Sequence, residues 1–67
     1  MTRQEIENEL EGKYLNQIVK YRAITDIIFT GKVDRISYYD NVVTFMMNGE
    51  MFKTDLEWLD ENIIVLR

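Results

Sequence analysis

Sixty-seven residues, 46% of them apolar and carrying a formal charge of −4, fit one small domain, which at this length buries only about 60% of its unfolded surface. A core of that size leaves about 3–5 kcal/mol of net stability, so tight packing or self-association must supply what staples would. With no cysteine and no histidine, disulfides, thiol chemistry, Ser-His triads and the usual zinc ligand sets are all excluded.

Residues 1–12 predict a helix. Thr2 is placed as N-cap, Glu5 closes a capping box, and Met1 and Ile6 stand at the staple positions. Gly12 is expected just past the end, where a left-handed residue stops a helix. Only Ile6 and Leu10 form its apolar stripe, so a helix this short must dock, and the open end of a barrel is the expected place. Residues 13–24 carry two patterns. Leu15, Val19, Tyr21 and Ala23 alternate as in a strand, whereas Tyr14, Leu15, Ile18 and Val19 sit at helical spacing. The β-branched and aromatic content and the break at Gly12 favour the strand.

The stretch from Ile27 to Thr54 predicts a three-stranded antiparallel meander. Asn48-Gly49 suits a two-residue type I′ turn, because both central residues need positive φ. That turn sets Met47 opposite Glu50, Met46 opposite Met51 and Phe45 opposite Phe52. Val43, Phe45, Met47 and Phe52 then share the inner face, while Val42, Thr44, Met46, Met51 and Lys53 share the outer one. A turn at Asp40-Asn41 independently puts Tyr38 and Ile36 on the same inner face. Continued without interruption, this register would bury Asp34, which is expensive for an unpaired carboxylate. A one-residue bulge at Asp34-Arg35 removes the conflict and returns Val33, Gly31, Phe29 and Ile27 to the inside, with the bend expected at Gly31.

Thr54 is read as the N-cap of a second helical turn ending near Asn62, with Glu57 completing the box and Asp55 at the positive end of the dipole. Leu56 and Leu59 are expected to plug the core, with Trp58 a third plug or a half-exposed anchor. Ile63 to Leu66 reads as a final strand buried on both faces. The fold class expected is mainly β (α+β): a five-stranded antiparallel barrel, residues 13–67, behind a short N-terminal helix, residues 1–12.

This order of elements resembles SH3-like barrels, and the leading helix resembles their Sm-like branch. Gly31, Val33, Ile36, Asn41 and Val42 match the first Sm-like motif. Ser37 replaces its aspartate, and Asp40 stands where that motif has a large apolar residue. Phe52-Lys53-Thr54 is similar to the aromatic-Lys-His stretch of the bacterial Sm-like RNA chaperone, with Thr54 in place of histidine. The resemblance implies single-stranded RNA contacts through Asn41 and Lys53, with stacking from Tyr38 or Tyr39.

The charge distribution argues against that chemistry. Residues 1–12 sum to −3, 13–25 to +3, 26–53 to −1 and 54–67 to −3, so the broad positive field of a nucleic-acid binder is missing. The Ser and Thr residues have no obvious base partner and the twelve carboxylates form no spaced ligand loop. No enzymatic activity, cofactor or metal is therefore expected. VVTFMM and IIVL are far too short to span a bilayer, and MTRQEIENELEGK has no apolar h-region, so a cytoplasmic location is expected. The sharper feature is the outer face of the meander, where Tyr39, Val42, Met46 and Met51 project with Arg35, Thr44 and Lys53 around them. Either the N-terminal helix covers this cluster, or the cluster is a contact patch for a protein partner or a second copy. The function expected is a small interaction module of the accessory or phage-type regulatory kind. The alternatives are the Sm-like RNA binder and an acidic mimic of nucleic acid.

Overall fold

The computed structural model describes residues 2–66. Its first element is α1, Arg3–Tyr14, capped by Thr2, whose hydroxyl accepts from the Glu5 amide at 3.2 Å. Met1, and with it the proposed staple, lies outside the described residues. The helix does not stop at Gly12. It continues one half-turn further, and the left-handed residue that follows it is Asn16, with φ 63°. The reason is Tyr14. Ile6, Leu10 and Tyr14 recur every four residues on one face, and Leu10 and Tyr14 are buried in the core, which outweighs the roughly 1 kcal/mol cost of a glycine inside a helix. Residues 13 and 14, expected to begin a strand, are thus helical, and the strand β1 starts only at Ile18, spanning Ile18–Arg22.

The long strand β2, Ile28–Tyr39, pairs with β1 at its beginning and with β3, Val42–Met47, at its end. The strand β4, Glu50–Asp55, completes the meander. Both turns form as the sequence predicts. Asp40, Asn41, Asn48 and Gly49 all take positive φ, and Phe45 sits opposite both Ile36 and Phe52. The ladder slips between Val33 and Arg35, leaving Asp34 as the extra residue. Val33 is fully buried and Asp34 exposed. Ile27 departs from expectation. It belongs to the β1–β2 turn, where its carbonyl accepts from the Ala23 amide, and its side chain is exposed.

Beyond β4 the cap of α2, Leu56–Asn62, is Asp55 rather than Thr54: the Asp55 carboxylate accepts from the Trp58 amide at 2.7 Å. Thr54 is still in the ladder, opposite Val43, and so remains a strand residue. Leu59 is fully buried, and Leu56 and Trp58 pack against the core half-buried. The last strand, β5, Ile63–Val65, pairs with β1. Its neighbourhood is covered on one side only. Ile63 is buried, whereas Ile64 and Leu66 face solvent, because only one face of β1 and β5 turns toward the core.

The sheet order is β4-β3-β2-β1-β5. Strand number, antiparallel pairing and both helices match the expected fold, but the sheet is open: among the described residues β4 and β5 are not paired. It is nonetheless strongly curled. In a flat sheet β1 and β3 would lie about 10 Å apart and β1 and β4 about 14 Å, yet the Tyr21 ring on β1 is 4.9 Å from Phe45 on β3 and 5.8 Å from Phe52 on β4. Phe29 joins the cluster at 4.7 Å from Phe52. The bulge at Asp34 adds local bending and twist to β2. A Cβ on Gly31 would come within 2.5 Å of the Asn48 side chain, whose Nδ2 donates to the Thr30 carbonyl at 3.0 Å and so ties the second turn to β2.

Candidate interaction surfaces

All the large apolar groups of the inner face are consumed by the core. Both helices pack there as well, α1 through Leu10 and Tyr14 and α2 through Leu59. The outer face of the meander is therefore not covered by α1, which removes the first of the two alternatives for the Tyr39 cluster. The register places that cluster in rows. Tyr39 lies beside Val42, and two residues along come Ser37, Thr44 and Lys53. Two further along come Arg35, Met46 and Met51. At about 3.4 Å per residue the two apolar rows are roughly 14 Å apart, so the four residues form two separate pairs with a polar row between them. Tyr39 is 73% exposed and Met51 60%, while Met46 is half-buried.

The residues implied by the Sm-like resemblance are only partly brought together. Tyr38 and Asn41 line a shallow groove with Arg3, Ile6, Tyr39 and Asp40, between the start of α1 and the first turn. Arg3 is committed there: its Nη1 donates to Glu7 at 2.8 Å and to the Tyr38 carbonyl at 3.1 Å. Lys53 points from the outer face and does not line that groove.

A second outer surface, not foreseen from the sequence, lies on β5, β1 and the start of β2. Alternation along β1 turns Val19 and Tyr21 inward and Ile18, Lys20 and Arg22 outward. Ile64 lies beside Lys20, Ile28 beside Arg22, and Lys32 beside Ile18. Ile28 is 53% exposed and Ile64 61%. Between them and the end of α2 is a groove of about 260 Å³ lined by Lys20, Arg22, Ile28, Glu61, Asn62 and Ile64. Arg22 is held in place: its Nε donates to Asn62 Oδ1 at 3.1 Å, its guanidinium lies 5.8 Å from the Trp58 ring centre, and its carbonyl accepts from Trp58 Nε1 at 3.1 Å. The signal was present in the alternation of residues 18–22, but the pairing of β1 with β5 joins residues more than forty apart, which no local pattern reveals.

No protein-family model, no curated protein and no solved structure matches this chain.

Among the described residues no charged side chain is buried, and no group of three His, Cys, Asp or Glu side chains could hold a metal ion. No helix is long and apolar enough to cross a membrane. Burial, and then the charge of Asp60, push the Tyr14 phenol above its ordinary value of 10.0. Its position in the core makes it a packing group with a costly ionised form.

Proposed function

We propose that this protein is a non-enzymatic interaction module, of the SH3-like, Sm-like kind, that binds a protein partner or a second copy of itself through the outer face of its sheet. The observation that carries the reading is that both helices pack on the inside of the curled sheet. The outer face keeps apolar side chains exposed on both halves among the described residues. Strand order and the placement of the two helices support the SH3-like assignment. The faces are better candidates than the edges. β5 offers only three residues, and β4 carries Glu50, Lys53 and Asp55, charges that blunt an edge against strand addition.

The self-association form is tested by light scattering across a concentration series for the wild type and for Met46→Lys/Met51→Lys. A wild-type mass above the monomer that falls in the double variant supports it. A mass and thermal stability unchanged by the substitutions remove the Met46/Met51 face as the contact between copies. The partner form is tested by capture from host extract with the same two proteins, identification of what binds, and its rebinding in purified form. Equal recovery on both proteins shifts the contact away from this face.

The RNA-binding reading has one observation in its favour, the convergence of Tyr38, Tyr39 and Asn41 on one groove. It requires salt-sensitive retention of uridine-rich single strands that is lost in Asn41→Ala, and absence of retention at low salt ends it.

A further inference from the structure

We propose that the outer face of β5, β1 and β2 is the docking site for an acidic peptide segment of a partner protein that inserts bulky apolar side chains beside Ile28 and Ile64. The argument is one of charge and shape. In a chain of net charge −4, this face carries Lys20 and Arg22 in the groove and Lys32 beside Ile18 further along it, with Glu61 alone among the groove-lining residues opposing them. Among the described residues Lys20 and Lys32 form no ion pair, and the ion pair of Arg22 with Asp26 is long, at 4.0 Å. Between these cations lie exposed isoleucines and a concavity of about 260 Å³, larger than the ~150 Å³ apolar cavity that holds a benzene ring. A ligand matching both features is anionic and carries large apolar groups at the same time.

Other occupants fit less well. Two copies of this face laid together would oppose Lys and Arg with Lys and Arg, a like-charge arrangement that disfavours pairing. Single-stranded nucleic acid would satisfy the lysines, but it is held by stacking its bases on aromatic rings, and this face presents isoleucines. An anionic bilayer would meet the isoleucines, but a concave groove does not insert into a lipid surface, and the acidic α1 and α2 segments of the same small body would be repelled by it.

The inference rests on the interaction-module reading but assigns a different surface, so the two are separable. The experiment pans a random peptide library displayed on phage against the immobilised protein. The enriched peptides are then synthesised and their affinities measured by fluorescence anisotropy for the wild type, Lys20→Glu, Ile64→Ser and Met46→Lys/Met51→Lys, each checked for folding by circular dichroism. The expected result is enrichment of peptides combining Asp or Glu with Leu, Phe or Trp. Their affinity should fall with added salt, drop roughly tenfold or more in Lys20→Glu, drop in Ile64→Ser, and stay unchanged in the methionine variant. No enrichment, enrichment without an acidic excess, or affinity retained in folded Lys20→Glu overturns the assignment. So does cosedimentation with phosphatidylcholine–phosphatidylserine vesicles that Lys20→Glu abolishes, which would give the face to a membrane instead. A null library result with a positive light-scattering result at Met46/Met51 removes this inference and leaves the interaction module standing.

Discussion

Gly12 separates two readings of the N-terminal segment by sign. If it ended the helix as a left-handed residue, Gly12→Ala would force a side chain into a conformation costing about 1–2 kcal/mol. In the structure Gly12 is inside α1, exposed, and a Cβ there meets nothing within 4 Å. Replacing an exposed helical glycine by alanine then stabilises by about 0.8–1.0 kcal/mol, since alanine loses less backbone freedom on folding and clashes with nothing. For a domain of this size each kcal/mol moves the thermal midpoint by about 4–8 °C, so Gly12→Ala should raise it by several degrees. Asn16 supplies the control. With φ 63° it is the residue that ends the segment, so Asn16→Ala should cost about 1 kcal/mol or more while Asn16→Gly is nearly neutral. Thermal and urea denaturation followed by far-ultraviolet circular dichroism measure all three. A lower midpoint for Gly12→Ala together with a neutral Asn16→Ala would move the helix end back to Gly12. Tyr14 would then leave the core, and with it would go the account of why α1 packs inside the sheet.

Three further outcomes follow from contacts elsewhere. Asp55→Ala should destabilise by about 1 kcal/mol through loss of the cap on Trp58, with Asp55→Asn close to wild type; denaturant titration of the two decides it, and equal loss in both would implicate charge rather than the cap. Gly31→Ala should displace the Asn48 side chain and break its bond to the Thr30 carbonyl, a loss of about 1 kcal/mol, and should become neutral or stabilising in an Asn48→Gly background; additivity of the two substitutions in a double-mutant cycle would refute the coupling. Tyr14, whose folded pKa is raised above 10.0, should have no effect on the pH dependence well below that value. As pH rises through 10.0 the unfolded chain loses the phenolic proton before the folded one does, so stability falls. Tyr14→Phe should flatten that alkaline decline in thermal scans, and an unchanged decline would place the tyrosine in water.

The meander was legible because its evidence was local and redundant. Two turns with positive-φ residues gave the same inner face, and the cost of burying Asp34 located the bulge. Where a boundary depended on energy from distant contacts, the sequence pointed to the wrong residue. Gly12 looks like a helix end until Tyr14 is seen in the core. Thr54 looks like a cap until its pairing with Val43 keeps it in the strand. Ile63 to Leu66 looks fully buried because an apolar run does not say which of its faces the rest of the chain covers. The candidate site was half legible for the same reason. Tyr39, Val42, Met46 and Met51 were placed on the correct face, but Lys20, Arg22, Ile28 and Ile64 become neighbours only through the pairing of β1 with both β2 and β5.

The two halves of the outer face differ in a way that bears on partner choice. On the meander half, the apolar pairs are separated by Ser37, Thr44 and Lys53, so a flat ligand gains little continuous apolar burial there. On the β5-β1-β2 half, isoleucines and cations share the same strands, Ile18 with Lys20 and Arg22 on β1, and Ile28 with Lys32 across Thr30 on β2. Burying Ile28 and Ile64, each already nearly half-buried, against a ligand would contribute about 1–2 kcal/mol each at most, and ordering a peptide consumes much of that. Apolar contact alone would therefore give weak and unselective binding. The cations decide which ligands are admitted, since they oppose a second copy of the same face and attract an acidic one. Under the proposed docking, Lys20 and Arg22 would then set selectivity and also contribute affinity, together with the isoleucines beside them.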